Sequence, residues 1–202
     1  MLSRVTRSER AYHHGDLRRA LIKAALQVIQ HDGLAALSLR DLARRVGVSH
    51  AAPVHHFGDK AGLLTAIATE GFVKLADQLR RTYARTGNFL EVGVAYVRFA
   101  VRERAYFEVM YRPELYHADD PALEAARRQT GELLYGPLSA RPDLAAADTR
   151  NAGLAAWSLV HGLATLLLTN NLPPDASRDV AGLTRTVASY LFPPPVDRGG
   201  AH

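Results

Sequence analysis

Between positions 40 and 60 of this 202-residue chain stand Arg40, Ser49, His50, His55, His56 and Lys60, with the small residues Ala51 and Ala52 among them. All six polar side chains donate hydrogen bonds or carry positive charge, a set suited to an anionic surface rich in acceptors. It does not suit catalysis. No nucleophile motif, phosphate-binding loop or dinucleotide fingerprint occurs in the sequence, and the absence of cysteine excludes disulfides, thiolate nucleophiles and cysteine-zinc sites. His50, His55 and His56 are spaced by five and one, so no two share the i, i+4 face of a two-histidine metal site. His13-His14 falls on an expected flexible arm, and His117 with Asp119 and Asp120 in an expected polar loop. No metal and no cofactor is expected.

The segment that carries these side chains reads as two short helices with a tight turn between them. Ser38 stands where a helix cap belongs, and Asp41 three residues on makes a capping-box-like pair with it. Leu39, Leu42, Ala43 and Val46 then fall on one face at helical spacing. Gly47 supplies the left-handed exit, and Ser49 is expected to cap a second helix almost at once. Two helices so close must cross steeply, the helix-turn-helix arrangement that pushes its second helix into a groove of DNA.

Charge follows the motif. Residues 1–60 hold ten Lys and Arg against five Asp and Glu, a surplus equal to the whole net charge of +5, and six of the nine histidines. A basic module of this kind is the electrostatic footprint of phosphate binding. At 48% apolar content the chain can bury a full core. Its first residues lack the apolar stretch of a secretory signal, so a reducing cytoplasm is the expected setting.

Helical periodicity runs throughout, with no competing strand pattern and no repeat, so the fold class expected is all-α: a three-helix DNA-binding domain followed by a larger helical one. The expected domains are a flexible basic arm over 1–13, the helix-turn-helix domain over 14–60, a helical domain over 61–192 and a disordered tail over 193–202. Asp16 is expected to open the first helix, which turns Leu21, Ala25, Val28 and Ile29 inward and stops at Gly33. Further helices are expected over 60–83, 89–103, 122–138, 145–170 and 180–192, with a short helix or turn over 106–111 and a loop over 112–121. Gly87-Asn88, Pro142 and Leu172-Pro173-Pro174 separate them.

Ala24-Ala25-Leu26, Ser38-Leu39-Arg40-Asp41-Leu42-Ala43, Gly47-Val48-Ser49, His56-Phe57, Lys60 and Leu63-Leu64 together resemble the N-terminal domain of TetR-type (tetracycline-repressor family) regulators. Residues 157–162, Trp-Ser-Leu-Val-His-Gly, with Tyr106 to Met110, resemble the subgroup whose regulatory domain is named after its Trp, His and Gly. The resemblance implies a homodimer that represses transcription from a palindromic operator until a small molecule binds its C-terminal domain. Two residues depart from the pattern: Pro53-Val54 stands where a Leu-Tyr pair is common. Proline there either removes one backbone bond or shifts the helix start, and readout must lean on Arg40, Ser49, His50, Ala51, Ala52, His55, His56 and Lys60. Small Ala51 and Ala52 permit approach to thymine methyls. Phe57 reads as a core residue, and His56 as either core or contact.

From Asn151 to Pro174 there is no charged residue, a length that raises a membrane-spanning reading, though Asn151, Ser158, His161, Asn170 and Asn171 argue against one. An apolar helix of this kind needs covering, and a four-helix interface across a two-fold axis would place Leu159, Leu163, Leu166, Leu167, Val187 and Leu191 in a dimer contact. Phe99, Tyr106, Phe107, Met110, Tyr111, Trp157 and His161 are the candidate ligand residues, apolar walls with a few polar groups. A ligand-independent DNA-binding protein, and a small-molecule-binding or enzymatic helical protein, are the alternative readings.

Overall fold

The computed structural model describes residues 7–139, 146–176 and 178–190. Among them are nine α-helices and no strand: α1 (Arg7–Asp32), α2 (Leu39–Val46), α3 (Ala51–Phe57), α4 (Lys60–Thr86), α5 (Phe89–Arg102), α6 (Arg104–Met110), α7 (Pro121–Ser139), α8 (Ala146–Leu168) and α9 (Val180–Ser189). The all-α expectation holds. Contacts group the chain into two compact units, the first Met1–Gly71 with Ala105–Glu124, the second Phe72–Arg104 with Ala125–His202.

In the first unit α1 packs on α2 and α3, and α2 on α3. The inward face read from the sequence is the buried one: Leu21, Ala25, Val28 and Ile29 are all within 3% of full burial. Leu42 and Ala43 meet them from α2. The start of α1 differs from expectation. It begins at Arg7 and not at Asp16, because residues 7–14 include no proline and the single Gly15 costs a helix interior only about 1 kcal/mol. Much of the expected basic arm is therefore helical backbone.

The units divide at Gly71, inside α4, where the sequence reading put a boundary at residue 60. Two contacts explain why α6 joins the first unit. Tyr106 donates its hydroxyl to Glu70 Oε1 at 2.5 Å. A side chain at Gly71 would sit 2.6 Å from Met110 Sδ, so the missing side chain is what lets α6 lie against α4. The segment after α6, expected as loop, includes a 3₁₀ turn at Pro113–Leu115 and is pinned by Tyr116, whose hydroxyl donates to the Met110 carbonyl at 2.8 Å.

In the second unit α5 packs on α8 and α9, and α8 on α9. Asn88 caps α5 by accepting from the Leu90 amide at 2.9 Å, which accounts for the break read at Gly87-Asn88. Asp179 caps α9 in the same way, accepting from Gly182. Arg185 on α9 donates twice to Glu91 on α5, at 2.7 and 3.0 Å, and that pairing holds the Glu91 carboxyl below its usual range. Pro142, Leu191 and the tail over 193–202 lie outside the described residues.

Candidate nucleic-acid interface

Gly47 ends α2 in the left-handed conformation, φ 76°. The Val48 amide reaches back to the Ala43 carbonyl at 3.0 Å and the Gly47 amide to Arg44 at 3.3 Å, a Schellman closure that satisfies the carbonyls at the helix end. Ser38 takes the cap position of α2, but its side chain makes no cap bond. Asp41, expected to complete a capping box, instead accepts from Arg44 at 2.9 Å.

The second helix starts one residue later than the sequence suggested. Ser49 does not cap it; His50 holds the cap position, already in helical conformation (φ −61°, ψ −21°), and Ser49 offers only its carbonyl, to the Ala52 amide at 3.0 Å. This placement resolves Pro53. It is the third residue of α3, in the first turn, where amide hydrogens have no intrahelical partner, so no backbone bond is lost. Its ring is buried.

With Pro53 inward, the opposite face is open. Ser49, His50, Ala51, Val54 and His55 are exposed, with Val54 at 51%, while Ala52, His56 and Phe57 are half-buried. Phe57 turns toward α1, where the Arg18 guanidinium lies 5.5 Å from its ring centroid. Arg40 on α2 and Lys60 at the start of α4 are exposed in the same unit.

What fixes α3 is the turn that follows it, a feature absent from the sequence reading. Gly58, at φ 78°, closes α3 by donating its amide to Val54 at 2.8 Å. Asp59 then caps α4, its Oδ1 accepting from the Gly62 amide at 2.7 Å. A side chain at Gly62 would strike the Phe57 carbonyl, so glycine is required there for α3 and α4 to come so close. The loop after α6 reaches the same turn. His117 donates its amide to Thr65 Oγ1 at 3.0 Å, and its Nε2 lies 3.4 Å from Asp59 Oδ1.

Two family models match this architecture. Residues 21–67 match the one described as bacterial regulatory proteins, tetR family, and residues 89–190 the tetracyclin repressor-like C-terminal domain. The chain belongs to the tetR family. A solved protein of unknown function from Rhodococcus sp. RHA1 is 32% identical, with a TM-score of 0.76 over 90% of this chain and 96% of its own. The HTH-type transcriptional regulator BetI of Escherichia coli (strain K12) is 28% identical over 190 residues, 87% of this chain and 94% of BetI. NalD, the secondary repressor of the MexAB-OprM multidrug efflux pump in Pseudomonas aeruginosa, shares the fold at 18% identity, with a TM-score of 0.61 over 90% of this chain and 96% of NalD. This tetR-family chain is a DNA-binding transcriptional regulator and not an enzyme. The description of the C-terminal match is the tetracyclin repressor-like one, and it names no Trp-His-Gly subgroup.

The candidate ligand residues of this regulator divide between the units. Tyr106, Phe107, Met110 and Tyr111 belong to the first, with the Phe107 and Tyr111 rings 4.8 Å apart. Phe99, Trp157 and His161 belong to the second. There the centre is Tyr96, a fully buried residue outside the candidate ligand set. Its hydroxyl accepts from Trp157 Nε1 at 3.3 Å and lies 2.9 Å from His161 Nδ1. A neutral imidazole with its hydrogen on Nε2 would accept the Tyr96 proton at Nδ1. Burial holds the His161 pKa below 6.5, in keeping with a neutral acceptor. Trp157 also lines a small apolar cavity of about 40 Å³ with Phe89, Leu90, Val92, Leu134 and Leu159.

Of the candidate dimer residues, Leu163 is buried in its own subunit, Leu159, Leu167 and Val187 are half-buried, and Leu166 is 42% exposed. Leu154 at 50% and Tyr190 at 84% join the exposed apolar side chains of α8 and the end of α9. Asp148–Leu168 is long and apolar enough to cross a membrane by composition.

Proposed function

We propose that this regulator is a cytoplasmic homodimeric repressor that binds an inverted-repeat operator through α3 and leaves it when a small molecule enters the second unit. The observation that carries the DNA reading is the outward face of α3, where Ser49, His50, Ala51, Val54 and His55 are exposed around an inward proline. Arg40, Ala52, His56 and Lys60 complete the proposed contact set. Lys60 and Arg40 act on phosphate as charges, and His50 and His55 donate to acceptors on base edges. Repression is the sense of control named for NalD.

The dimer reading rests on α8. Leu154 and Leu166 on it are exposed within one chain and Leu159 and Leu167 half-buried, and a second copy related by a two-fold axis would cover these four while presenting two α3 helices to two half-sites.

Ligand response rests on the cavity at Trp157. Small-molecule pockets run to roughly 300–1,000 Å³, far above the volume of about 40 Å³ here. A ligand must therefore open the cavity by displacing Trp157 or its neighbours, and a ligand that prefers the opened form shifts the DNA-binding equilibrium by that preference. Phe99 and His161 are the second-unit residues proposed to meet it with Trp157. The sole tryptophan reports the event. A compound that changes Trp157 fluorescence should release operator DNA over the same concentration range, and operator should weaken that compound by the same factor. Compounds that perturb Trp157 at saturation and leave operator affinity unchanged would make this a ligand-independent DNA-binding protein.

A further inference from the structure

Four arginines, none of them among the residues proposed to meet DNA or ligand, converge on one open groove in the second unit. Arg81 and Arg85 stand one turn apart on α4, and Arg98 and Arg102 one turn apart on α5. Gln78, Thr82, Val94 and Ala95 lie between them, around a volume of about 520 Å³. The two helices are tied at this place: Gln78 donates to the Ala95 carbonyl at 2.8 Å and accepts from Arg102 at 2.8 Å.

The groove has more positive charge than it can neutralise. Glu91, the one carboxylate in its lining, is already held by Arg185 through two bonds. Arg102 lies 3.4 Å from Glu103. Arg81, Arg85 and Arg98 make no ion pair within 4.0 Å among the described residues, though the charges of Arg98 and Arg85 help to hold the Glu91 carboxyl down. Like charges one turn apart on a helix repel, and two such pairs facing across a concavity focus a positive potential into it. Among the described residues the four arginines thus share one carboxylate that is already paired with Arg185, an excess of positive charge suited to an anionic ligand.

We propose that this groove binds a small molecule carrying two or more phosphate groups. Guanidinium forks match phosphate bidentately. Two pairs of forks on facing helices match linked phosphates, whereas a single orthophosphate engages one pair. The volume lies within the range of small-molecule sites. Duplex DNA is a convex rod and would meet ridges rather than a groove between helices, and the proposed DNA contacts all belong to the other unit.

The test is calorimetric titration of the full-length protein with sodium tripolyphosphate and with ATP at physiological ionic strength, against orthophosphate. Arg81→Gln/Arg98→Gln is the groove variant, and Lys60→Gln controls for the basic face of the first unit. Wild type should bind tripolyphosphate with one site per chain and orthophosphate at least about tenfold more weakly. Arg81→Gln/Arg98→Gln should lose at least about tenfold in affinity for tripolyphosphate, with an unchanged or higher melting temperature and unchanged operator affinity. Lys60→Gln should bind tripolyphosphate as wild type does. ATP binding tighter than tripolyphosphate would make the natural source a nucleotide, and the reverse an inorganic polyphosphate or another ester. The proposal is overturned by undetectable binding, by binding that survives Arg81→Gln/Arg98→Gln or is lost with Lys60→Gln, or by a groove variant that loses affinity for random duplex DNA.

Discussion

One carboxylate oxygen, Asp59 Oδ1, receives both the Gly62 amide at 2.7 Å and His117 Nε2 at 3.4 Å. The cap of α4 and the loop after α6 thus meet at a single atom, next in sequence to Lys60. The carboxyl is held below its usual 3.8, first by the Gly62 amide and then by the nearby imidazole.

Asp59→Ala should therefore speed amide exchange at Gly62 and lower operator affinity through a frayed Lys60. A carboxylate with a lowered folded pKa contributes stability that is fully present above the unfolded value and is lost as pH falls through the folded one. Acid melting curves should show this loss below 3.8 in wild type, and Asp59→Asn should lack that component. Equal exchange at Gly62 in Asp59→Ala and wild type would remove the carboxylate from the cap.

Lys60 and His55 should separate positioning from reading. Lys60→Ala should weaken specific and random DNA alike and flatten the dependence of log affinity on log salt by about one unit. His55→Ala should mainly relax sequence preference. An unchanged salt slope in Lys60→Ala would take this lysine off the phosphate.

Whereas a histidine whose pKa is unchanged by folding adds no pH dependence, His161 should make stability fall in acid. Its folded pKa is lowered by burial, so the unfolded chain binds more protons as pH drops below 6.5. Stability should be full above 6.5 and fall as pH moves from there toward the folded pKa, below which no more is lost. His161→Gln should flatten the melting temperature over that window while retaining an acceptor for the Tyr96 hydroxyl. A wild-type profile as flat as that of His161→Gln would mean that the imidazole titrates freely.

Leu166→Glu places a carboxylate on the exposed apolar face of α8. One subunit tolerates it, since Leu166 is 42% exposed there, but a dimer contact would bury it unpaired at a cost of several kcal/mol. Sedimentation should show monomer with lost operator binding. A stable dimer would put the interface elsewhere.

The features legible in the sequence were local. The face Leu21, Ala25, Val28, Ile29 follows from helical period, and the stop at Gly47 follows from the left-handed exit. Ser49 misled because His50 had already adopted helical angles, which moved the start of α3 and removed the need for a side-chain cap. The rest depended on residues far apart in the chain. Tyr96 and His161 are 65 positions apart, and the arginines of the groove become a set only when α4 and α5 lie side by side. Spacing rules do not reach across such distances.

The close approach at Gly62 also bears on how such a regulator can change its target. Because α3 is seated against α4 main chain to main chain, with the Phe57 carbonyl where a methyl would have to go, the angle at which α3 is presented does not depend on its outward side chains. Ser49, His50, Ala51, Val54 and His55 can be exchanged one at a time, by drift or by design, on a helix whose pose stays fixed. Under the proposed reading of DNA by α3, operator preference is modular, and exchanges at these five surface positions, with Pro53 and Gly62 held constant, are the first route to retargeting.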